Sequence, residues 1–305
     1  MNKGKTVGFI VGLLLCSAFV LAAENETVPS TMNITGNLPR STVFFNEAGD
    51  QGDGSISLVP NSTQLLSCWG TAYDLDGFGD LNELINATIF AESSFRFAPE
   101  NESTNYMNNT CDTTNLHTTG EWNCTFNVQY FAENSTWTCM VNITNQDTQY
   151  YNDTISTTAV IEDLVAIDVL NSTIDFGLRA VTENYTADTR VEIANEGNVE
   201  LDLQLDAFNQ TASFADDNDQ AFNCSIGHIP VNYLRFSLDQ DDAYLDSLPL
   251  SASGATSIVE LNLSHREGGA GTFDPTTAPT YWAIAIPANI AGTCNGQILY
   301  IGRPS

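Results

Sequence analysis

The sequence predicts an all-β chain folded as two sandwiches, and three observations carry that expectation. Short runs of alternating apolar and polar residues recur, as where Val199, Leu201, Leu203 and Leu205 alternate with Glu200, Asp202, Gln204 and Asp206. Polar turns separate such runs every ~8–12 residues, the spacing of sandwich strands, and no long stretch of helical period follows the N-terminal segment. Apolar residues make up 42% and aromatic residues 10% of the chain, enough to build cores despite a net charge of −29 and to argue against disorder.

The first element, residues 1–22, reads as a signal peptide. Lys3 and Lys5 precede an apolar run from Val7 to Ala22, Val20-Leu21-Ala22 meets the small-residue rule for cleavage, and Glu24 and Glu26 follow at once. The run is shorter than the ~20 residues a membrane span needs, so cleavage is preferred to a retained anchor. Cys16 follows Leu15, where a lipobox would need Gly or Ala. No second apolar stretch is long enough to span a bilayer, so no membrane span is expected in the mature chain.

Residues 23–39 form a polar N-terminal tail. Its apolar residues Val28, Met32 and Ile34 are compatible with pairing at a neighbour's sheet edge, although a disordered stub is the preferred reading. The two sandwiches are placed at 40–158 and 159–305, with a Thr-rich joint near 153–162. Roughly 280 mature residues suffice for two such domains.

With the signal removed, both lysines are gone and seven arginines remain as the only basic residues. Such a surface repels nucleic acid and anionic membranes and favours divalent cations, cationic partners or a salty medium. Six of the seven cysteines also remain: Cys68, Cys111, Cys124, Cys139, Cys224 and Cys294. An even count on an exported chain reads as three disulfides, four cysteines in the first domain and two in the second. Zinc is the alternative, but neither a C-x-x-C pair nor clustered His accompanies them.

Fifteen N-x-[ST] acceptor triplets run along the chain, at Asn25, Asn33, Asn61, Asn86, Asn101, Asn108, Asn123, Asn134, Asn142, Asn152, Asn171, Asn184, Asn209, Asn223 and Asn262. That is about three times chance for this content of Asn, Ser and Thr, so the expected product is a heavily N-glycosylated extracellular or cell-surface protein. The competing reading is a Thr/Asn-rich β protein with incidental triplets. A glycan cannot enter a core, so each acceptor assigns the faces of its strand. Outward Asn86 turns Ile85, Ala87, Ile89 and Ala91 inward; outward Asn123 does the same for Trp122, Cys124, Phe126, Val128 and Tyr130. Asn142 does so for Trp137, Cys139, Val141 and Ile143, Asn223 for Phe222, Cys224 and Ile226, and Asn262 for Val259, Leu261 and Leu263. The turn Asn195-Glu196-Gly197-Asn198 leads into the Val199–Leu205 strand, its Gly and Asn suited to positive φ.

Cys68 and Cys139 stand 71 residues apart, and Glu133-Asn134-Ser135-Thr136-Trp137-Thr138-Cys139 carries an aromatic two residues before the cysteine. On these residues the first domain resembles an immunoglobulin-like sandwich. The family's corner tyrosine is Trp137 here, so its hydroxyl hydrogen bond is expected to be lost, and Trp69 follows Cys68 directly where the family's core Trp comes later. The resemblance implies Cys68–Cys139 across the sheets, leaving Cys111–Cys124, although four cysteines allow three arrangements. The Asn195–Asn198 turn and the close Trp282-Ala283-Ile284-Ala285-Ile286-Pro287 … Gly292-Thr293-Cys294-Asn295-Gly296-Gln297-Ile298 resemble Ig-like modules of archaeal and bacterial surface proteins. That likeness implies a single Cys224–Cys294 bridge, and with the absence of mature lysines it favours an archaeal source.

Asp74-Leu75-Asp76-Gly77-Phe78-Gly79-Asp80 is the most site-like segment. Asp74, Asp76 and Asp80 offer part of a Ca²⁺ shell, but the spacing departs from an EF-hand loop, and an Asx turn explains it equally. Asp50 and Asp53 are further loop acids, and Asp216-Asp217-Asn218-Asp219 and Asp239-Gln240-Asp241-Asp242 read as solvated tips. His117, His228 and His265 share no metal-ligand spacing, Ser264-His265 reads as exposed edge, and no nucleophile elbow or phosphate loop appears, so catalysis is not expected. The expected function is a structural or adhesive surface subunit, calcium-assisted, whose partners are surface proteins or further copies. The alternative is a module binding carbohydrate or a host surface through aromatics such as Trp69, Tyr106, Tyr150 or Tyr151.

Overall fold

The computed structural model describes residues 40–49, 54–73, 85–114, 120–144, 150–151, 155–171, 173–187, 190–209, 219–251, 257–268 and 276–305. These residues form β-strands and a short 3-10 turn at Val231–Tyr233, as the alternating pattern requires. Among them no helix is long and apolar enough to cross a membrane.

In chain order the first strands are β1 (Arg40–Ser41), β2 (Phe44–Glu47), β3 (Ser55–Ile56), β4 (Thr63–Tyr73), β5 (Asn86–Ala91), β6 (Asn105–Asn108), β7 (Asp112–Thr114), β8 (Gly120–Gln129), β9 (Thr136–Thr144), β10 (Tyr150–Tyr151) and β11 (Ser156–Ile161). They build a five-stranded sheet in the order β1-β4-β8-β7, with β2 also on β4, and a six-stranded sheet in the order β3-β11-β9-β5-β6, with β10 also on β9. The β3–β11 pair is parallel, Val160 beside Ser55. β11 belongs to these sheets, so the boundary expected after residue 158 falls inside a strand, and the change of sheets comes between Ile161 and Ile167.

The inward faces carry the residues assigned from the acceptor asparagines. Leu66, Cys68, Trp122, Cys124, Phe126 and Val128 meet Ile89, Trp137, Cys139, Val141 and Ile161 in one buried cluster, each large apolar side chain contributing about 1.5–3 kcal/mol on full burial. Cys68 on β4 joins Cys139 on β9, bridging the two sheets with Cα atoms 6.4 Å apart. Cys111 joins Cys124 beside it, with Cα atoms 4.4 Å apart. The hydroxyl bond expected to be absent at Trp137 has a substitute. The indole N–H donates to Glu133 O at 2.8 Å, so the ring nitrogen replaces a tyrosine hydroxyl.

The remaining strands are β12 (Ile167–Val169), β13 (Asn184–Thr186), β14 (Val191–Asn195), β15 (Leu201–Asn209), β16 (Gln220–Ile226), β17 (His228–Pro230), β18 (Leu234–Ser237), β19 (Leu248–Pro249), β20 (Ser257–Leu263), β21 (Thr276–Ala285) and β22 (Ala291–Pro304). One sheet runs β12-β14-β21-β18-β19 with β13 on β21; the other runs β17-β16-β22-β15-β20. A second buried cluster lies among them, with Ile193, Leu201, Leu203, Leu205, Leu234, Phe236 and Trp282. β22 holds β15 along its whole length, from Leu201↔Pro304 to Asn209↔Gly296.

Two assignments fail here. Ile226 is 62% exposed rather than inward, and Phe222 and Cys224 are half-buried. β16 carries an extra residue against β17 between Gln220 and Phe222, and β22 carries one against β16 between Cys224 and Ile226; such bulges disrupt the ladder and the simple alternation of faces. In β20, Val259 and Leu263 are buried but Leu261 is half-buried; Asn262 has φ 45°, and the β15–β20 pairing is irregular at that end. Cys224 and Cys294 are register partners on β16 and β22, so their bridge lies within one sheet, with Cα atoms 3.9 Å apart.

Asn37–Ser305 form one compact unit, and the Asn195–Asn198 turn ties its two halves together. Asn198, fully buried, accepts from Leu164 N at 2.7 Å and donates to Ala132 O and Glu162 O, each at 3.0 Å. Asn195 donates to Val199 O and Leu263 O and accepts from Gly197 N. Gly197 is not among the positive-φ residues. Its need for glycine is close approach instead, since a Cβ would stand 2.0 Å from Leu164 O. Nearby, buried Arg266 lies over the Phe131 ring at 4.5 Å, and Gly268 N donates to Ser103 Oγ.

Candidate functional site

Asp74, Asp76 and Asp80, the calcium candidates, lie outside the described residues, as do Asp50, Asp53, Asp216, Asp217 and His117. Among the described residues no group of three or more His, Cys, Asp and Glu is placed to hold a metal. The Asp239–Asp242 segment is a self-bonded turn. Ser237 Oγ donates to Asp242 Oδ2 at 2.5 Å and accepts from Asp239 N at 2.9 Å, while Asp241 N donates to Asp239 Oδ1 at 3.0 Å. Asp239 thus accepts a backbone amide and Asp242 a serine hydroxyl. His228 is exposed and His265 half-buried, and Ser264 is exposed.

The acceptor asparagines are distributed as a coat. Asn61, Asn101, Asn123, Asn134, Asn171, Asn184, Asn223 and Asn262 are exposed, and Asn86, Asn108 and Asn142 are half-exposed. Asn25, Asn33 and Asn152 lie outside the described residues. Asn209 departs from the expectation. It is only 6% exposed, and its amide donates to Gln220 Oε1 at 3.3 Å, which leaves no room for a glycan at that nitrogen.

The few cations are engaged locally. Arg96, Arg179, Arg235 and Arg266 lie over Phe97, Tyr185, Tyr244 and Phe131 at 5.1, 4.9, 4.6 and 4.5 Å, and Arg190 pairs with Glu192 at 2.5 Å. With so much of the positive charge occupied, the carboxylates dominate the outer field.

Of the aromatics proposed for stacking, Tyr106 is a core residue. It is 8% exposed, donates to Glu102 O and accepts from Gln129 N at 2.9 Å; burial pushes its hydroxyl well above the ordinary tyrosine range. Trp69 does face outward. It stacks on Phe44 with centroids 5.9 Å apart and ring planes at 27°, and Phe44 is 54% exposed. A cavity of about 590 Å³ opens beside them, lined also by Thr71, Thr113, Glu121 and Asn123. Phe44 had no part in the sequence expectations, because an exposed aromatic on a four-residue edge strand has no pattern of its own. The register of β2 on β4, known only from the fold, brings it to Trp69.

No protein family matches this chain, and no curated protein matches it. Among solved structures, a chain from a chaperone-tip adhesin complex of CFA/I fimbriae biogenesis is 12% identical, covers 86% of this chain and 84% of its own, and superposes with a TM-score of 0.29. At that score the likeness is too loose to transfer anything.

Proposed function

We propose that this chain is an exported, N-glycosylated cell-surface protein, a non-catalytic structural or adhesive subunit of two immunoglobulin-like sandwiches. The observation that carries the reading is the separation of two chemistries. Every described acceptor asparagine except Asn209 is exposed or half-exposed, while the Cys68, Cys124 and Cys139 sulfurs lie in a fully buried core. Acceptors outside and a fully buried Cys68–Cys139 bridge inside suit a protein stabilised for an oxidising exterior. The immunoglobulin-like reading of the first half draws on the β1-β4-β8-β7 and β3-β11-β9-β5-β6 orders, with a bridge from β4 to β9. Assembly would come through further copies or other surface proteins, with the acidic exterior bridged by calcium.

Intact mass of the protein from its native host, before and after reduction with alkylation, tests the reading. The expected result is a mass several kilodaltons above the cleaved chain, with six alkylatable thiols appearing only on reduction. A bare chain with free thiols overturns it. Sedimentation with and without calcium tests assembly, which should be concentration-dependent and reversed by chelation. The second reading, a carbohydrate-binding module, draws on the outward Phe44–Trp69 stack. Retention on an oligosaccharide array, abolished by Trp69→Ala, would favour it.

A further inference from the structure

We propose that the glycan on Asn123 folds back across its own sheet and packs on Trp69 and Phe44, an inference that rests on the glycoprotein reading above. The aromatic face is then closed by the protein's own sugar and is not a site for a foreign one.

The register makes the case. Phe44 on β2 pairs with Trp69 on β4, Trp69 pairs with Asn123 on β8, and Asn123 pairs with Asp112 on β7. Directly opposite residues of an antiparallel pair share a face, with Cβ atoms about 4.5–5.5 Å apart. Cys68, Trp122 and Cys124, the chain neighbours of Trp69 and Asn123, are buried, so Trp69 and Asn123 project together to the outside. Four strands thus carry one row: two aromatics, an acceptor amide and a carboxylate.

A sugar on that amide has one natural path. Neighbouring strands lie about 4.8 Å apart, close to the advance of one pyranose ring. The first sugar from Asn123 therefore reaches over Trp69, and the second reaches over Phe44. An N-acetylhexosamine presents a face of C–H groups suited to an aromatic ring and a rim of hydroxyl and amide groups. Thr71 and Glu121, paired on the same outer face of β4 and β8, line the same cavity of about 590 Å³ and can meet that rim. In the other direction the cavity ends at Asp112, exposed and charged, which offers an apolar sugar face nothing. Without a cover, the stacked pair would leave Phe44 54% exposed on an outer sheet face.

The molecule carries its own reporter. Of its four tryptophans, Trp122, Trp137 and Trp282 are at most 2% exposed, whereas Trp69 is half-buried. Collisional quenching by acrylamide therefore reads Trp69. The full-length glycoprotein is compared with Asn123→Gln, with Thr125→Ala, and with native protein trimmed enzymatically after folding, which covers the case in which a variant fails to fold. Glycopeptide mass records occupancy of each acceptor. The expected result is an occupied Asn123 and a quenching constant that rises about twofold or more when its glycan is removed, a rise that Trp69→Phe eliminates. Unchanged quenching with Asn123 occupied overturns the inference and leaves the glycoprotein reading standing. A bare Asn123 beside occupied acceptors elsewhere does the same. A chain with no occupied acceptor sinks both.

Discussion

The two halves of the molecule use the same strand chemistry, yet only one obeys simple alternation throughout. In the first half an outward Asn86, Asn123 or Asn142 correctly places every assigned neighbour inside, because β4, β8, β5 and β9 pair without a register shift. In the second half the pairing of β16 shifts twice, and Ile226 ends 62% exposed. The disulfides follow the same division, since Cys68–Cys139 joins two sheets while Cys224–Cys294 joins two strands of one sheet. The lesson is that a period-two argument carries only as far as the uninterrupted ladder.

The sharpest way to break this comparison is to remove each bridge. The loops they close are nearly equal, at 71 and 70 residues, so the chain-entropy loss is about 4 kcal/mol in both cases. Cys68 and Cys139 are fully buried, and their double alanine variant should lose about 1–2 kcal/mol more than Cys224→Ala/Cys294→Ala through the cavity it leaves. Urea unfolding of both variants measures the difference, and equal losses would mean that bridging two sheets is no different from bridging one.

Next in size is a matched pair of isoleucines. Ile89→Ala in the regular ladder should cost about 3 kcal/mol, and Ile226→Ala beyond the bulge no more than about 0.5 kcal/mol. A comparable loss at both sites would restore Ile226 to the core.

Asn198→Ala tests whether the halves behave as one. It removes the partner of Leu164 N, Ala132 O and Glu162 O, at a cost of about 2 kcal/mol. Calorimetry should resolve two transitions where the parent shows one. A single transition, merely lowered, would place the coupling in Arg266 and Phe131 instead.

The last contrast is a pH dependence in the second half, felt only at alkaline pH. Burial pushes Tyr300 up to about 12, above an ordinary tyrosine near ~10. The fold thus favours the neutral phenol, a contribution fully present below the unfolded value and lost as pH rises through the folded one. Thermal stability should fall between pH ~10 and ~12, and Tyr300→Phe should flatten that fall, measured by melting across the range.

Much of the fold was legible in the sequence because burial and alternation are local. Leu201, Leu203 and Leu205 announce their strand, although it starts two residues later than the pattern from Val199 suggested, and Asn123 announces which side of β8 is wet. What could not be read depends on register between distant segments. The Asn195–Asn198 turn was visible, but Gly197 was assigned to positive φ when it serves the approach of Leu164, a residue of the preceding connection. Asn209 looks like any other acceptor until β15 carries it into a buried position. The Phe44–Trp69–Asn123 row illustrates the same limit, because three separate segments each look unremarkable until the sheet aligns them.

That same alignment bears on how the cysteines of the chain are oxidised. Cys68 stands directly opposite Cys124 in the β4–β8 ladder, the pair at a separation where cross-linking is sterically open, although their native partners are Cys139 and Cys111. In chain order Cys124 precedes Cys139. Premature oxidation can therefore trap a Cys68–Cys124 bridge within a nearly native β4–β8 pairing. Correct pairing then depends on Cys111 capturing Cys124 first, or on an external dithiol that reshuffles the error, which makes the yield of native bridges sensitive to the thiol–disulfide conditions of folding.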